Sequence, residues 1–133
     1  MPFPGSLKRQ AIDKDEIAQL LERQFKLPSL ETLAYLQMLE RGSVGVDELA
    51  ETIALSTEKT KDLLLTMITR GLIIRAPGPK DAFTALHPRM TMTNIFKIYE
   101  RDLVQSLRDR RATVDRVVNL LTPIFEEKKT ASN

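Results

Sequence analysis

The sequence predicts a mainly α-helical fold with a small β-hairpin and a long C-terminal helix. Three observations carry this reading. Apolar residues recur every three or four positions over most of the chain, as in helices buried on one face. Two short runs, Leu72-Ile73-Ile74-Arg75-Ala76 and Ala82-Phe83-Thr84-Ala85-Leu86, flank the turn cluster Pro77-Gly78-Pro79-Lys80-Asp81. Beyond His87-Pro88 the helical spacing resumes and holds from about residue 89 to 121.

The elements follow in order. Residues 1–11, with two Pro, one Gly and the pair Lys8-Arg9, read as an arm. A first helix over residues 12–25 places Ile17, Leu20, Leu21 and Phe25 on one face, with Asp13, Asp15 and Glu16 at its N-terminus to complement the dipole. Pro28 breaks it and opens a second helix, in which Leu30, Leu33, Leu36 and Leu39 recur at i+3 until Gly42 stops it. Ser43-Val44-Gly45 reads as a turn into a third helix from Val46, whose inward face is Leu49, Ala50 and Ile53. Ala54-Leu55-Ser56 is a tight turn, and Ser56 is a suitable N-cap for a fourth helix over residues 57–70. There Thr60, Leu64, Met67 and Ile68 face inward and Gly71 ends the helix. The hairpin comes next, then the long helix, which Pro123 is expected to kink or end.

Helix, helix, turn, helix and hairpin in this order is the winged helix–turn–helix arrangement. The predicted organisation is an arm (1–11), a winged domain with an extra N-terminal helix (12–87), and a C-terminal helix with its tail (88–133).

Composition narrows the function classes. Hydrophobic residues make up 42% of the 133, but aromatics only 5% with no Trp, so Leu, Ile, Val and Met must fill the core. No apolar run is long enough to span a membrane, the N-terminus has no secretory pattern, and there is no Cys. A soluble, cytoplasmic protein is expected. Net charge is only +2, yet residues 56–97 carry seven basic and three acidic side chains, while residues 1–55 carry six and nine. The basic segment covers the fourth helix and the hairpin, which points to a local anionic partner.

The stretch from Leu27 to Leu72 resembles the DNA-binding domain of the archaeal TrmB-like transcriptional regulators. It has Leu27, Glu31, Tyr35, Leu36, Leu39 and Gly42, then Glu48-Leu49-Ala50-Glu51, then Arg70-Gly71-Leu72-Ile73-Ile74, in ungapped order. The resemblance implies sequence-specific DNA binding by a dimer in gene regulation. This chain departs from the family at Lys61, often aromatic there, and at Leu65, usually polar. Larger members add a sugar-binding domain, for which 133 residues leave no room, so no sugar effector is expected.

In such a domain the fourth helix enters the major groove. The candidate contacts on it are Ser56 and Thr57 with short hydroxyls, Lys59 and Lys61 for phosphate or guanine, Glu58 for a cytosine amino group, and Leu65. Arg75 and Lys80 would form the basic wing on the backbone or minor groove, and Arg70 is expected to complement the helix end. A solvated helix face and a basic surface turn are the plainer readings of the same residues.

On the last helix, Phe96, Leu103, Leu107, Val114, Val117, Leu121 and Ile124 alternate in steps compatible with a heptad seam, with Arg110 interrupting it. This predicts a coiled-coil-like homodimer, with Arg110 setting register against Asp109 or Asp115 of the partner. The alternative is that the helix folds back on its own domain.

Enzyme chemistry has too few parts. His87 is the single His, no Cys exists, and no glycine-rich phosphate loop follows a strand, so no metal, cofactor or catalytic residue is expected. The expected partners are double-stranded DNA, a second copy of the chain and the transcription machinery, with no membrane. The competing reading is a winged-helix module that binds protein within a larger assembly, favoured by Leu65.

Overall fold

The computed structural model describes residues 11–78 and 80–131. The arm cations Lys8 and Arg9 lie outside them. The elements are α1 (Lys14–Phe25), α2 (Ser29–Arg41), β1 (Ser43–Gly45), α3 (Val46–Ile53), α4 (Thr57–Arg70), β2 (Ile73–Arg75), β3 (Ala82–Ala85) and α5 (Pro88–Ala131). A winged-helix domain is present, as the sequence predicts.

Local chemistry sets the helix ends. Asp13 caps α1 by accepting from the backbone N–H groups of Asp15 and Glu16 at 3.0 and 3.2 Å. Lys26, in the left-handed region with φ 60°, closes α1, and its N–H returns to the last turn. Ser56 caps α4 through its hydroxyl, which accepts from the Lys59 N–H at 3.1 Å. His87 stands just before α5, where its Nδ1 accepts from the Arg89 N–H. The lone His is thus a helix-start residue.

Three expectations need correction. Ser43-Val44-Gly45 is a strand, not a turn: Val44 pairs with Phe83 and Gly45 with Ala82, so β1 joins the hairpin as a three-stranded antiparallel sheet, β1-β3-β2. On α2 the leucine row is only partly the core face: Leu36 is buried, while Leu30 and Leu33 are half-buried. Leu39 is exposed, while Ala34, Tyr35 and Met38 are buried with Glu31, Thr32 and Gln37. Finally, α5 does not end at Pro123 but runs through it to Ala131. The carbonyl four residues back loses one helical donor, and the helix continues with the Thr122 hydroxyl donating to the Val118 carbonyl.

The core joins Leu27, α2, β1, α3, α4, β2, β3 and the start of α5 around Met38, Leu49, Leu64, Met67, Leu72 and Phe83. Thr91 and Ile95 of α5 are buried in this same unit, which extends to Phe96. Among the described residues, those from Lys97 onward form a second unit, a helix whose large apolar side chains from Leu103 to Phe125 are exposed.

Candidate nucleic-acid interface

The helix pair α3 and α4 meets at the turn Ala54-Leu55-Ser56, where Ala54 takes a left-handed conformation (φ 57°) and its N–H bonds back to Ala50. The Thr60 hydroxyl donates to the Ser56 carbonyl at 2.8 Å, which tightens the first turn of α4. Thr60, Leu64 and Met67 are buried. Their spacing turns the opposite face outward, and it carries Glu58, Lys61, Asp62, Leu65 and Thr69, all exposed.

The predicted contact residues divide into held and free groups. The Ser56 oxygen is engaged in the cap, and the Thr57 hydroxyl donates to Asp47 on α3 at 3.5 Å. Among the described residues, Glu58, Lys59 and Lys61 have no ion-pair partner. Leu65 is 52% exposed in the middle of the face.

The wing arginine is held. Arg75 pairs with Asp81 at 3.0 Å and lies over the Phe83 ring, 5.1 Å from its centre. A phosphate reaching Arg75 would compete with that carboxylate. Lys80, at the exposed turn, has no ion-pair partner among the described residues.

Sequence reasoning missed the anchor behind α4. Arg70 does not simply complement the helix end; its Nε lies 3.0 Å from the buried Glu31 carboxylate on α2. Burial pushes the Glu31 pKa above the usual carboxylate value, and the Arg70 charge opposes that rise. Gly71 follows with φ 81°, and its carbonyl accepts from the Asn94 amide at 2.8 Å, which ties the end of α4 to α5 within the compact unit.

The predicted dimer residues separate in a similar way. Phe96, in the first unit, packs edge-to-face on Phe25 with ring centres 6.5 Å apart. Leu103, Leu107, Val114, Val117, Leu121 and Ile124 are exposed along the second unit. Val104, Val118, Leu120 and Phe125 widen the stripe beyond the predicted seam. Arg110 donates to the Ser106 hydroxyl at 2.7 Å. Asp109 accepts from Gln105, and Asp115 pairs with Arg111, so both acids expected to meet a partner's Arg110 have contacts on their own helix.

Among the described residues no group of three His, Asp or Glu could hold a metal, and no helix is long and apolar enough to cross a membrane.

The capped helix pair, the three-stranded sheet and the wing define a winged helix–turn–helix protein. Residues 21–89 match the family described as sugar-specific transcriptional regulator TrmB. The chain belongs to this family, whose members are regulators rather than enzymes.

Among relatives, the chain is 23% identical over 113 residues to the DNA-binding HTH-type transcriptional repressor TrmBL2 of Thermococcus kodakarensis, covering 85% of this chain and 43% of that protein. It is 22% identical over 115 residues to a putative HTH-type transcriptional regulator TrmBL2 of Pyrococcus furiosus, covering 86% and 44%. The chain thus spans less than half the length of these curated relatives. Its fold matches the structure of TrmBL2, described as an archaeal chromatin protein with a novel mode of DNA binding. That match has a TM-score of 0.70 and 22% identity, over 89% of this chain and 45% of the other. The ST1889 protein of Sulfolobus tokodaii shares the fold at a TM-score of 0.54 and 17% identity, over 71% and 99%.

Proposed function

We propose that the chain is a transcriptional regulator that binds double-stranded DNA as a homodimer, with α4 in the major groove and the wing on the backbone or minor groove. The observation that carries this reading is the outward face of α4, which buries nothing and keeps Lys59 and Lys61 unpaired among the described residues. Lysines of this kind can meet phosphates without first breaking an ion pair. The relatives' descriptions as DNA-binding regulators support the same reading.

Homodimerisation rests on α5. An apolar stripe from Leu103 to Phe125 is exposed, the kind of surface that marks an interaction site, and a second copy of the same helix would cover it. Two copies would present α4 to half-sites about 34 Å apart, one turn of DNA. Occupying a promoter in this way would block or recruit transcription machinery.

A second reading, a module that binds protein rather than DNA, is favoured by the exposed Leu65 on α4. Fluorescence-anisotropy titration against promoter and scrambled duplexes at two salt concentrations separates the two. Sequence-selective binding that weakens steeply with salt supports the regulator, because each phosphate neutralised releases counterions. No binding to either duplex at low salt would reject it in favour of the protein module.

A further inference from the structure

We propose that Leu65 reads thymine, packing its side chain on the base's C5-methyl group in the major groove. The proposal rests on α4 being the groove helix and adds what that helix distinguishes.

The outward face of α4 limits the chemistry. Bidentate purine readers are Arg or Lys for guanine and Asn or Gln for adenine. No Arg, Asn or Gln occurs between Thr57 and Thr69, which leaves Lys59 and Lys61 for guanine, and Arg70 is held at 3.0 Å by the buried Glu31 carboxylate. What faces outward or flanks that face is the ammonium groups of Lys59 and Lys61, two carboxylates at Glu58 and Asp62, the hydroxyl-bearing Thr66 and Thr69, and the aliphatic Leu65. The Thr69 hydroxyl donates to the Leu65 carbonyl at 3.0 Å, so it too has a partner within the helix.

An exposed leucine alone calls for no explanation. Leu65 has one because of its place. It stands on the same line as Glu58, Asp62 and Thr69, at successive i+4, i+3 and i+4 steps, on the side of α4 turned away from the buried Thr60, Leu64 and Met67. A side chain at the middle of that line approaches the groove floor when α4 is seated. The thymine methyl is the one major-groove feature that an aliphatic chain complements.

The test starts from the tightest 20–25 base-pair duplex selected from random sequence by the full chain. It is then synthesised a second time with deoxyuridine replacing every thymine, which removes only the methyl groups. Burying one methyl corresponds to roughly fourfold in affinity. The protein should therefore prefer the thymine duplex at least about fourfold, and about 15-fold if both copies in a dimer make the contact. Leu65→Ala, an exposed substitution whose folding is checked by its thermal transition, should bind the two duplexes alike.

If the protein binds both duplexes equally, or Leu65→Ala keeps the full preference for thymine, the proposal falls while DNA binding stands. A selected site without thymine overturns it in the same way. If no duplex is bound at low salt, the groove-helix reading and this proposal fall together.

Discussion

Arg70, the last residue of α4, closes that helix onto α2 by placing its Nε 3.0 Å from Oε1 of Glu31, a residue only 2% exposed. The pair fixes the far end of the helix whose near end Ser56 caps. Removing the arginine leaves a buried carboxylate alone, so Arg70→Met should destabilise the protein by about 3 kcal/mol in urea denaturation at pH 7. The loss should shrink as the pH is lowered and Glu31 takes up a proton. An equal loss at pH 7 and at lower pH would contradict this.

The same carboxylate gives the wild type a pH dependence of definite sign. The Glu31 pKa is raised on folding, so the folded state holds a proton that the unfolded chain has already released. Its contribution is fully present below the unfolded value near 4.5 and is lost as pH rises through the higher folded value. Glu31→Gln should flatten that part of the stability–pH curve, measured by the denaturation midpoint in steps from pH 4 upward.

At Gly71 two constraints coincide. Its φ of 81° disfavours any side chain, and an added Cβ would lie 2.4 Å from the Asn94 amide nitrogen. Gly71→Ala should lower stability by about 1–3 kcal/mol. Adding Asn94→Ala removes the two nearest clashing atoms but keeps the Asn94 Cβ position at 3.0 Å and the backbone strain, so thermal melts of the double variant should recover only part of the loss.

Lys59→Ala with Lys61→Ala should weaken binding to all duplexes alike and make it less sensitive to salt. Each lysine that meets a phosphate contributes about 0.9 to the slope of log affinity against log salt. An unchanged slope in anisotropy titrations would remove both lysines from the interface.

Leu107→Glu combined with Leu121→Glu puts charges on the exposed stripe of α5. Sedimentation velocity should then show monomers and weaker DNA binding. The winged unit should still unfold cooperatively, because neither residue belongs to its core. A persisting dimer would mean that association uses another surface.

The elements with strong local signals were legible in the sequence. Ser56 and Gly71 bracket α4, Pro77-Gly78 marks the hairpin, and Thr60, Leu64 and Met67 supply the inward face. β1 was not legible, because three residues with one buried valine carry no period, and their partner strand lies some forty positions away. The α2 leucines were a partial guide: Leu36 is buried, but the rest of the buried face there is Ala34, Tyr35 and Met38 beside Glu31, Thr32 and Gln37. A glutamate on a helix reads as solvent-facing until its cation is seen, and Arg70 is 39 residues further along. Of the candidate site, the α4 face was readable from spacing, whereas the capture of Arg75 by Asp81 depends on cross-hairpin geometry.

The division of α4 into two faces also bears on how this protein can change. Thr60, Leu64 and Met67 anchor the helix, while Glu58, Lys61, Asp62 and Leu65 have no part in the core. Substitutions at such exposed positions ordinarily move stability by less than about 0.5 kcal/mol. The outward residues can therefore be rewritten singly while the anchor stays constant. Descendants of one fold can diverge in what they recognise without passing through an unfolded intermediate sequence.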